Sequence, residues 1–388
     1  MNRDKQKLFL SAPEFDGTEM GFIKKALDQG QIATNGPFIS EFERKLADKF
    51  NAGNVIALNS GTSSIHLALH LLGVGPGDEV ICQTFTFIAS SNPVVYLGAH
   101  PVFVDSEMDT WNMCPNALEA TVKHRLRLGK KPKAIVVVNL FGMPAKLPEI
   151  MALGKKYGIP VIEDAAESVG SKIGDQFTGT FGDLGVYSFN GNKIITTGGG
   201  GALVTSSQFM ANKSRYLSTQ AKLNFHHYEH RELGFNYKMN NLTAGIGIAQ
   251  LASLEEKLAK RRQIHQYYHT YLSPLPGITF LDEPEDYFSN RWLTTILIDP
   301  QLAGFDANVL REALLTREIE SRFLWKPMHL QPLYKNALYY GGNNAMALFH
   351  QGLCLPSGSG LTDAGLNRVI DCIFEIHACM LMRTEKSM

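Results

Sequence analysis

The sequence is poor in cysteine and carries no excess charge of either sign. Its five cysteines are scattered without a CxxC pair, which favours reduced thiols over a disulfide framework or a zinc site. Lys and Arg together number 37, and Asp and Glu also number 37, so neither a nucleic-acid surface nor a charged tail is indicated. We therefore expect no bound metal and no nucleic-acid partner.

Long apolar runs are also missing. No stretch reaches the roughly 18 apolar residues that suggest a membrane-spanning helix, and the N-terminal segment MNRDKQKLFLSAPEF lacks the apolar core of a signal peptide. These absences predict a cytoplasmic protein that does not contact the membrane. The length of 388 residues, 44% of them hydrophobic, indicates a large core and roughly two to three domains.

Short β-rich runs alternate with helical patterns along most of the chain. The runs are VIALNS (55–60), DEVICQ (78–83), HPVFVD (100–105), KAIVVVNL (133–140) and IPVIEDA (159–165). This alternation predicts an α/β fold with a large, mainly parallel sheet and helices on both faces. A charged helical stretch at 251–272 precedes a change in composition. We therefore predict a large domain at 1–257, with an N-terminal arm, and a smaller α+β domain at 258–388.

Several polar segments follow predicted strands directly. In α/β folds, ligands bind beyond the carboxyl ends of the strands. The segments concerned are Gly61-Thr62-Ser63, Phe87, Asp164 and Ser188 to Lys193. The sequence therefore predicts that these segments form one site at one edge of the sheet.

Lys193 lies in the stretch VYSFNGNKIITTGGGGALVT and has three competing interpretations. A phosphate loop is disfavoured, because such a loop has its glycines before the lysine and a hydroxyl residue after it. Here Ile194 follows, and the glycine run Gly198–Gly201 comes later. An ordinary surface lysine is the usual case, but the apolar flank favours a desolvated amine. Desolvation lowers the pKa of a lysine and provides the neutral nucleophile that Schiff-base chemistry needs.

Two other segments each allow a structural and a functional interpretation. In VIEDAAESVG, Asp164 and Glu167 are either a helix N-cap with a first-turn carboxylate or an acidic pair at a cofactor. In the second case Asp164 keeps the pyridine nitrogen of pyridoxal phosphate protonated. In NSGTSSIHLAL (59–69), small residues at a helix start form either a plain cap or a phosphate site.

Longer segments carry a family resemblance over nearly the whole chain. They are FISEFERKLADKF, ALNSGTSSIHLAL, TFTFIASSNPVVYLGAHPVFVD, VIEDAAESVGS, TFGDLGVYSFNGNKIITTGGGG and LGFNYKMNNLTAGIGIAQL. Together they resemble the sugar aminotransferases of the DegT/DnrJ/EryC1/StrS family, which have the aspartate-aminotransferase (type I) fold and bind pyridoxal phosphate. DAAE and SFNGNKIITTGGGG are most similar to members that aminate UDP-linked 4-keto-6-deoxy-N-acetylglucosamine in bacillosamine biosynthesis.

The resemblance implies roles for residues of the large, cofactor-binding domain. Lys193 would bind the cofactor as a Schiff base and move protons, and Asp164 would pair with the pyridinium nitrogen. Glu167, where many relatives have Gln or His, would lie near the cofactor's 3-hydroxyl or the incoming amine. Phe87 would stack on the ring. The phosphate would be held by Gly61, Thr62 and Ser188.

The resemblance also implies an obligate homodimer with shared active sites. Asn236 would reach the phosphate of the second subunit. Lys238, where the family usually has Arg, keeps the charge but loses the fork of donors. Lys238 and His329 are candidates for substrate contact, although packing is the alternative for His329. The HHYEH segment (226–230) is a metal site, a subunit or sugar-nucleotide loop, or a plain solvated loop.

The implied activity is amino-group transfer, with L-glutamate as donor, to C4 of a UDP-linked 4-keto-6-deoxy-N-acetylhexosamine. Family variants with His in place of Lys193 are sugar dehydratases, so the lysine favours a transferase. The alternatives are another acceptor (a dTDP-linked, GDP-linked or 3-keto sugar) and a non-catalytic regulatory protein that keeps the fold. The intact set of Asp164, Ser188 and Lys193 argues against the regulatory alternative.

Overall fold

The computed structural model describes residues 7–385. Its α-helices are α1 (Thr18–Asp28), α2 (Pro37–Phe50), α3 (Gly61–Leu71), α4 (Asn92–Tyr96), α5 (Pro115–Arg127), α6 (Leu147–Tyr157), α7 (Gln208–Ser218), α8 (Asn241–Ala252), α9 (Leu254–Leu272), α10 (Pro300–Ala303), α11 (Ala307–Thr316), α12 (Asn344–Gln351) and α13 (Asp363–Glu385). Its strands are β1 (Asn54–Leu58), β2 (Glu79–Gln83), β3 (His100–Val104), β4 (Ala134–Val138), β5 (Val161–Asp164), β6 (Lys172–Ile173), β7 (Gln176–Phe177), β8 (Leu184–Ser188), β9 (Gly201–Thr205), β10 (Ile278–Phe280), β11 (Tyr287–Phe288), β12 (Thr294–Ile298), β13 (Arg322–Phe323), β14 (Leu338–Tyr340) and β15 (Gly352–Leu355).

The large sheet has the strand order β1-β9-β8-β5-β4-β2-β3-β14. Strand β9 is antiparallel to both of its neighbours, and the other strands run in one direction. Strands such as β2 and β4 are buried along their whole length, as expected for parallel strands covered on both faces. The mainly parallel α/β sheet predicted from the sequence is confirmed.

Helices cover both faces of this sheet because successive strand residues point to opposite sides. On one face, Ile56 and Val80 share a core with side chains of α3, α4 and α7. On the other face, Val55 packs with α2 and α8, and Ile81 packs with α5 and α6. Helix α3 begins three residues after the end of β1, so its first turn lies at the edge of the sheet.

A second, antiparallel sheet has the order β10-β12-β15-β13 and packs with α9, α11 and α13 around a core of its own. Two strands beyond residue 257 lie elsewhere. Strand β14 pairs in parallel with β3 at the edge of the large sheet, and β11 pairs with β6. The division into 1–257 and 258–388 stays a prediction. Across residues 7–385, each helix is too short or too polar to cross a membrane.

Candidate active site

One cavity of about 280 Å³ lies beyond the carboxyl ends of β5 and β8. Residues from several predicted strand ends line it together: Gly61, Thr62, Phe87, Asp164, Glu167, Ser188 and Lys193. They meet because neighbouring parallel strands end at the same edge of a sheet. The cavity is therefore the place where the chemistry of these side chains can combine.

Lys193 enters this cavity from the loop between β8 and β9. Its backbone N–H donates to the Asn190 carbonyl at 3.0 Å, which closes a turn. The following Ile194 and Ile195 are buried in the core with α2 and α8. The apolar flank thus anchors the loop, while the lysine side chain, 13% exposed, stays at the cavity. Its Nζ lies 4.0 Å from the centroid of the Trp292 ring.

Asp164 ends β5 and is 3% exposed. Its Oδ2 accepts from the Ser90 hydroxyl at 2.7 Å, and its Oδ1 accepts from the Ala166 N–H at 3.1 Å. Burial raises the pKa of Asp164, while both hydrogen bonds and the charge of Lys193 oppose the shift. Residues 165–170 form turns rather than a helix, so Asp164 is not a helix N-cap. A protonated ring nitrogen would give this buried carboxylate an opposite charge.

Glu167 lies between Lys193 and a strained turn. Its Oε1 is 3.6 Å from Lys193 Nζ, and its Oε2 accepts from the Phe141 N–H at 2.8 Å. Phe141 has a φ of 55°, a left-handed conformation that is uncommon for this residue type. Burial raises the pKa of Glu167, and the charge of Lys193 opposes the shift. The carboxyl group is thus close enough to form an ion pair with the amine.

The start of α3 has the features of an anion site. The first N–H groups of a helix lack partners within it, and the helix dipole is positive there. Ser60 caps α3 by accepting from the Ser63 N–H at 3.0 Å. A Cβ on Gly61 would lie 3.0 Å from Ser188 Cβ, and one on Gly201 would lie 2.4 Å from the Ser60 carbonyl carbon. These glycines let β8 and β9 approach the helix start closely.

The residues of this cavity fit pyridoxal phosphate. The N-terminus of α3, with the Ser188 hydroxyl beside it, suits the phosphate. The amine of Lys193 suits the aldehyde, and the buried carboxylate of Asp164 suits the ring nitrogen. Phe87, 48% exposed, lines the cavity and contacts Trp325, with ring centroids 5.2 Å apart.

Three residues from the sequence prediction lie outside the cavity lining of this chain. Asn236 is exposed, and its carbonyl accepts from Asn59 Nδ2 at 3.1 Å. Lys238 is partly exposed. His329 stacks on Tyr339 with ring centroids 3.8 Å apart, and burial lowers its pKa. Their proposed roles need a second subunit or a bound substrate.

The HHYEH segment forms an exposed loop. His227 Nε2 is 3.2 Å from Glu229 Oε2, and His230 Nδ1 is 2.8 Å from the Gln220 carbonyl. The described residues contain no group of three or more His, Cys, Asp or Glu side chains that could hold a metal, here or elsewhere.

Several residues of the cavity lining were given no individual role from the sequence, including Ser90, Asn192, Trp292 and Trp325. Trp292 and Trp325 come from the C-terminal part of the chain, and Ser90 and Asn192 come from the large sheet's loops. Ser90 had a signal, since it follows Phe87 by three residues at a predicted strand end. Asn192 also had one, as the neighbour of Lys193. Trp325 also had one, because it lies in RFLWKPMH (322–329), which resembles the family's strand region that borders the active site. Trp292 had none, because its position depends on how distant segments pack.

A mainly parallel α/β sheet whose edge combines a mostly buried lysine, a buried aspartate and a helix start suited to a phosphate is typical of pyridoxal phosphate-dependent enzymes of the aspartate-aminotransferase fold. The sequence model of the DegT/DnrJ/EryC1/StrS aminotransferase family matches residues 13–374. The protein belongs to this family; it is a sugar aminotransferase that depends on pyridoxal phosphate.

Individual relatives agree with this assignment. The chain is 46% identical, over 96% of each chain, to "Putative pyridoxal phosphate-dependent aminotransferase EpsN" of Bacillus subtilis (strain 168). It is 37% identical to GDP-perosamine synthase of Caulobacter vibrioides, over 96% of this chain and 99% of that protein. A solved DegT DnrJ EryC1 StrS aminotransferase from Brucella abortus superposes with a TM-score of 0.87 at 30% identity, covering 93% of this chain and 96% of that one.

Proposed function

We propose that the protein transfers an amino group from L-glutamate to C4 of a UDP-linked 4-keto-6-deoxy-N-acetylhexosamine, giving the 4-amino sugar. The observation that carries the proposal is the meeting of Lys193, Asp164 and the start of α3 in one cavity. The segments DAAE and SFNGNKIITTGGGG support the acceptor, through the resemblance to enzymes that aminate this sugar.

Each side chain then has a defined task. Bound pyridoxal phosphate supplies the carbonyl group and the electron-accepting ring that amino transfer needs. Lys193 binds the cofactor and carries a proton between the reacting carbon atoms. Asp164 holds a proton on the ring nitrogen, and Glu167, 3.6 Å from Lys193 Nζ, exchanges a proton with the amine. The start of α3 and Ser188 hold the phosphate.

A second cavity of about 620 Å³ supports a substrate longer than a sugar alone. It adjoins the first, because Asn192, Trp292 and Trp325 line both. Its further lining includes Arg322 and Phe323. Ligand sites commonly have volumes of roughly 300–1,000 Å³ with aromatic walls and a few charged groups. A sugar that reacts at Lys193 has room here for its attached nucleotide.

The proposed homodimer explains why Asn236 is exposed and lies outside the cavity lining of its own chain. In an isologous dimer, the same residue can complete the phosphate site of the partner. Co-expression of Lys193→Ala and Asn236→Ala protomers tests this. Random pairing gives one wild-type site among four, so we expect about a quarter of the wild-type activity. No recovery above the two separate variants would contradict shared sites.

Another nucleotide-linked keto sugar is the alternative acceptor. The similarity to GDP-perosamine synthase supports a GDP-linked sugar as one such alternative. The deciding measurement is kcat/KM for the UDP-linked N-acetyl substrate against dTDP-4-keto-6-deoxyglucose and GDP-4-keto-6-deoxymannose, with a UDP-linked 3-keto sugar included. A pocket that pairs with the N-acetyl amide loses about 1–3 kcal/mol when that partner is missing, so we expect a preference of roughly tenfold to a hundredfold.

Equal or better use of a competing sugar would overturn the acceptor and leave the aminotransferase chemistry intact. A protein that binds the cofactor but does not transfer the amine of glutamate to any sugar would instead favour the regulatory alternative.

A further inference from the structure

Arg261, in the middle of α9, is a buried cation close to the active site. Its side chain is 1% exposed. Its Nη1 donates to the carbonyls of Trp292 and, at 3.1 Å, Ser357, and its Nη2 donates to the Ser11 hydroxyl oxygen at 3.1 Å. Burial lowers the pKa of the guanidinium to about 10, because the charged form loses hydration. These acceptors are neutral oxygens, so keeping this charge buried costs stability.

Ser11 links Arg261 to the loop that carries Lys193. It belongs to the N-terminal arm (residues 7–14) and is 8% exposed. A guanidinium only donates hydrogen bonds, so the Ser11 oxygen accepts from Arg261 and its single proton is left for another acceptor. That acceptor is the carbonyl of Asn192, 2.8 Å away. Arg261 therefore fixes the direction in which Ser11 donates.

Trp292 donates to the same carbonyl. Its indole Nε1 lies 2.8 Å from the Asn192 oxygen, and its own carbonyl accepts from Arg261. A carbonyl oxygen has two lone pairs, so the two donors saturate it. Asn192 directly precedes Lys193, and the Trp292 ring also lies 4.0 Å from Lys193 Nζ. Both donors to the peptide group that carries the lysine are thus tied to one arginine.

We propose that Ser11, Trp292 and Arg261 are positioning residues, which fix the Asn192 carbonyl and so set the place of the Lys193 amine. The N-terminal arm, which carries Ser11, is itself held in place by backbone hydrogen bonds to the C-terminal region. The Leu8 N–H donates to the Glu318 carbonyl at 2.9 Å, and the Ser357 N–H donates to the Leu10 carbonyl at 2.8 Å.

Lys257, one helical turn before Arg261, provides a matched control. It is 5% exposed, and its Nζ donates to the Glu14 carbonyl at 3.0 Å and to Gln250 Oε1 at 2.6 Å. It therefore holds the same arm through Glu14, and these hydrogen bonds involve neither Ser11 nor Asn192. Gln250 Nε2 also donates to the Glu14 carbonyl at 2.9 Å, so Lys257→Met leaves that carbonyl with a partner.

The test compares Ser11→Ala, Ser11→Thr and Lys257→Met. Cofactor-free protein is mixed with pyridoxal phosphate, and the rate constant for growth of the visible absorbance is measured together with its pH midpoint and the Tm. Small misplacements of reacting groups cost up to about a hundredfold in rate, and we expect Ser11→Ala to slow capture about tenfold and to move the pH midpoint. Ser11→Thr, which keeps the hydroxyl at a position that lines the larger cavity, should restore capture within about twofold.

Lys257→Met should lower the Tm while its capture rate stays within about twofold of wild type. Capture and a pH midpoint like wild type in Ser11→Ala would overturn the proposal, as would an equal loss of capture in Lys257→Met or failure of Ser11→Thr to restore it. If Ser11→Ala does not fold, Trp292→Phe decides, because it keeps an aromatic ring, although a smaller one, and has no N–H to donate to the Asn192 carbonyl. A wild-type capture rate and pH midpoint in that variant would likewise overturn the proposal.

Discussion

Replacing Asp164 by asparagine separates the charge of this side chain from its shape. The asparagine oxygen can accept from the Ala166 N–H, as Asp164 Oδ1 does at 3.1 Å. The new amide N–H can donate to the Ser90 hydroxyl oxygen. The Ser90 hydroxyl proton can then be donated to Thr86 Oγ1, 3.0 Å away. We therefore expect the fold and the cavity to persist, so that a loss of activity reports the charge.

The expected loss of activity follows from the size of one charge pair. Two unit charges about 4 Å apart attract by about 4 kcal/mol at an effective dielectric constant of about 20. Since about 1.4 kcal/mol corresponds to a factor of ten in rate, Asp164→Asn should lower kcat about 1,000-fold. The amide cannot hold the ring nitrogen protonated. The assay is stopped-flow transfer of the amine from glutamate in the cofactor-loaded protein.

The stability of the cofactor-free protein should change in the opposite direction. Burial raises the pKa of Asp164, so its stabilising contribution is present below the unfolded-state pKa and is lost as the pH rises through the folded-state pKa. Asparagine has no charge to bury. The variant should therefore have a higher Tm than wild type without cofactor, and the gain should be larger near pH 8 than near pH 4.

Glu163, the neighbour of Asp164 on β5, is the matched control. Its oxygens accept from Asn139 Nδ2 and from the N–H groups of Gly179, Phe181 and Gly182. In Glu163→Gln one of these accepting oxygens becomes an NH₂ group, which faces N–H donors and cannot accept from them. The variant should therefore have a lower Tm, while the charge of Asp164 at the cofactor site is unchanged. Activity of Asp164→Asn within about tenfold of wild type, or a Tm gain that does not depend on pH, would refute the reasoning.

Three further predictions concern the lysine and its neighbours. Lys193→Ala should abolish the visible absorbance of the bound cofactor, and an unchanged spectrum would contradict the assignment. Glu167→Gln keeps an oxygen for the Phe141 N–H, so the cavity should persist, but the amide cannot exchange a proton, so kcat should fall by about a hundredfold or more. The acid limb of the pH–rate profile, which follows the raised pKa of Glu167, should disappear, and a retained limb would contradict its proton-exchange role. Gly201→Ala places a Cβ 2.4 Å from the Ser60 carbonyl carbon and should lower the free energy of unfolding by about 1–3 kcal/mol. At Gly199 the nearest atom to an added Cβ is 4.0 Å away, so Gly199→Ala should lower it less. Equal losses in urea titrations would contradict the close approach of β9 to the start of α3.

Much of the fold could be predicted from the sequence because the signals are local. Each strand of the parallel sheet is a short apolar run, and the residue that follows it lies at the sheet edge by geometry alone. Asp164 and Ser188 could be placed in this way. Lys193 could be distinguished from a surface lysine because Ile194 and Ile195 need a core to pack in, and they have one beside α2 and α8.

The rest depends on contacts between distant segments. Trp292 reaches the lysine loop from 100 positions away, and Ser11 from 181 positions away. Strand β14, from the C-terminal part of the chain, joins the large sheet beside β3, and no composition change announces this pairing. After Asp164 the acidic pattern suggested a helix start as one alternative, but the chain turns instead, and Asp164 accepts from Ser90 in another segment. No local pattern encodes these partners.

The most direct test of the central claim follows the amino nitrogen itself. Wild-type protein and Lys193→Ala are each incubated with pyridoxal phosphate, ¹⁵N-labelled L-glutamate and the UDP-linked 4-keto-6-deoxy-N-acetylhexosamine, and the sugar product is examined by mass spectrometry and NMR. We predict ¹⁵N bonded to C4 of the sugar with the wild-type protein and none with Lys193→Ala. Unlabelled sugar with the wild-type protein, or the same labelling with the variant, would contradict the account.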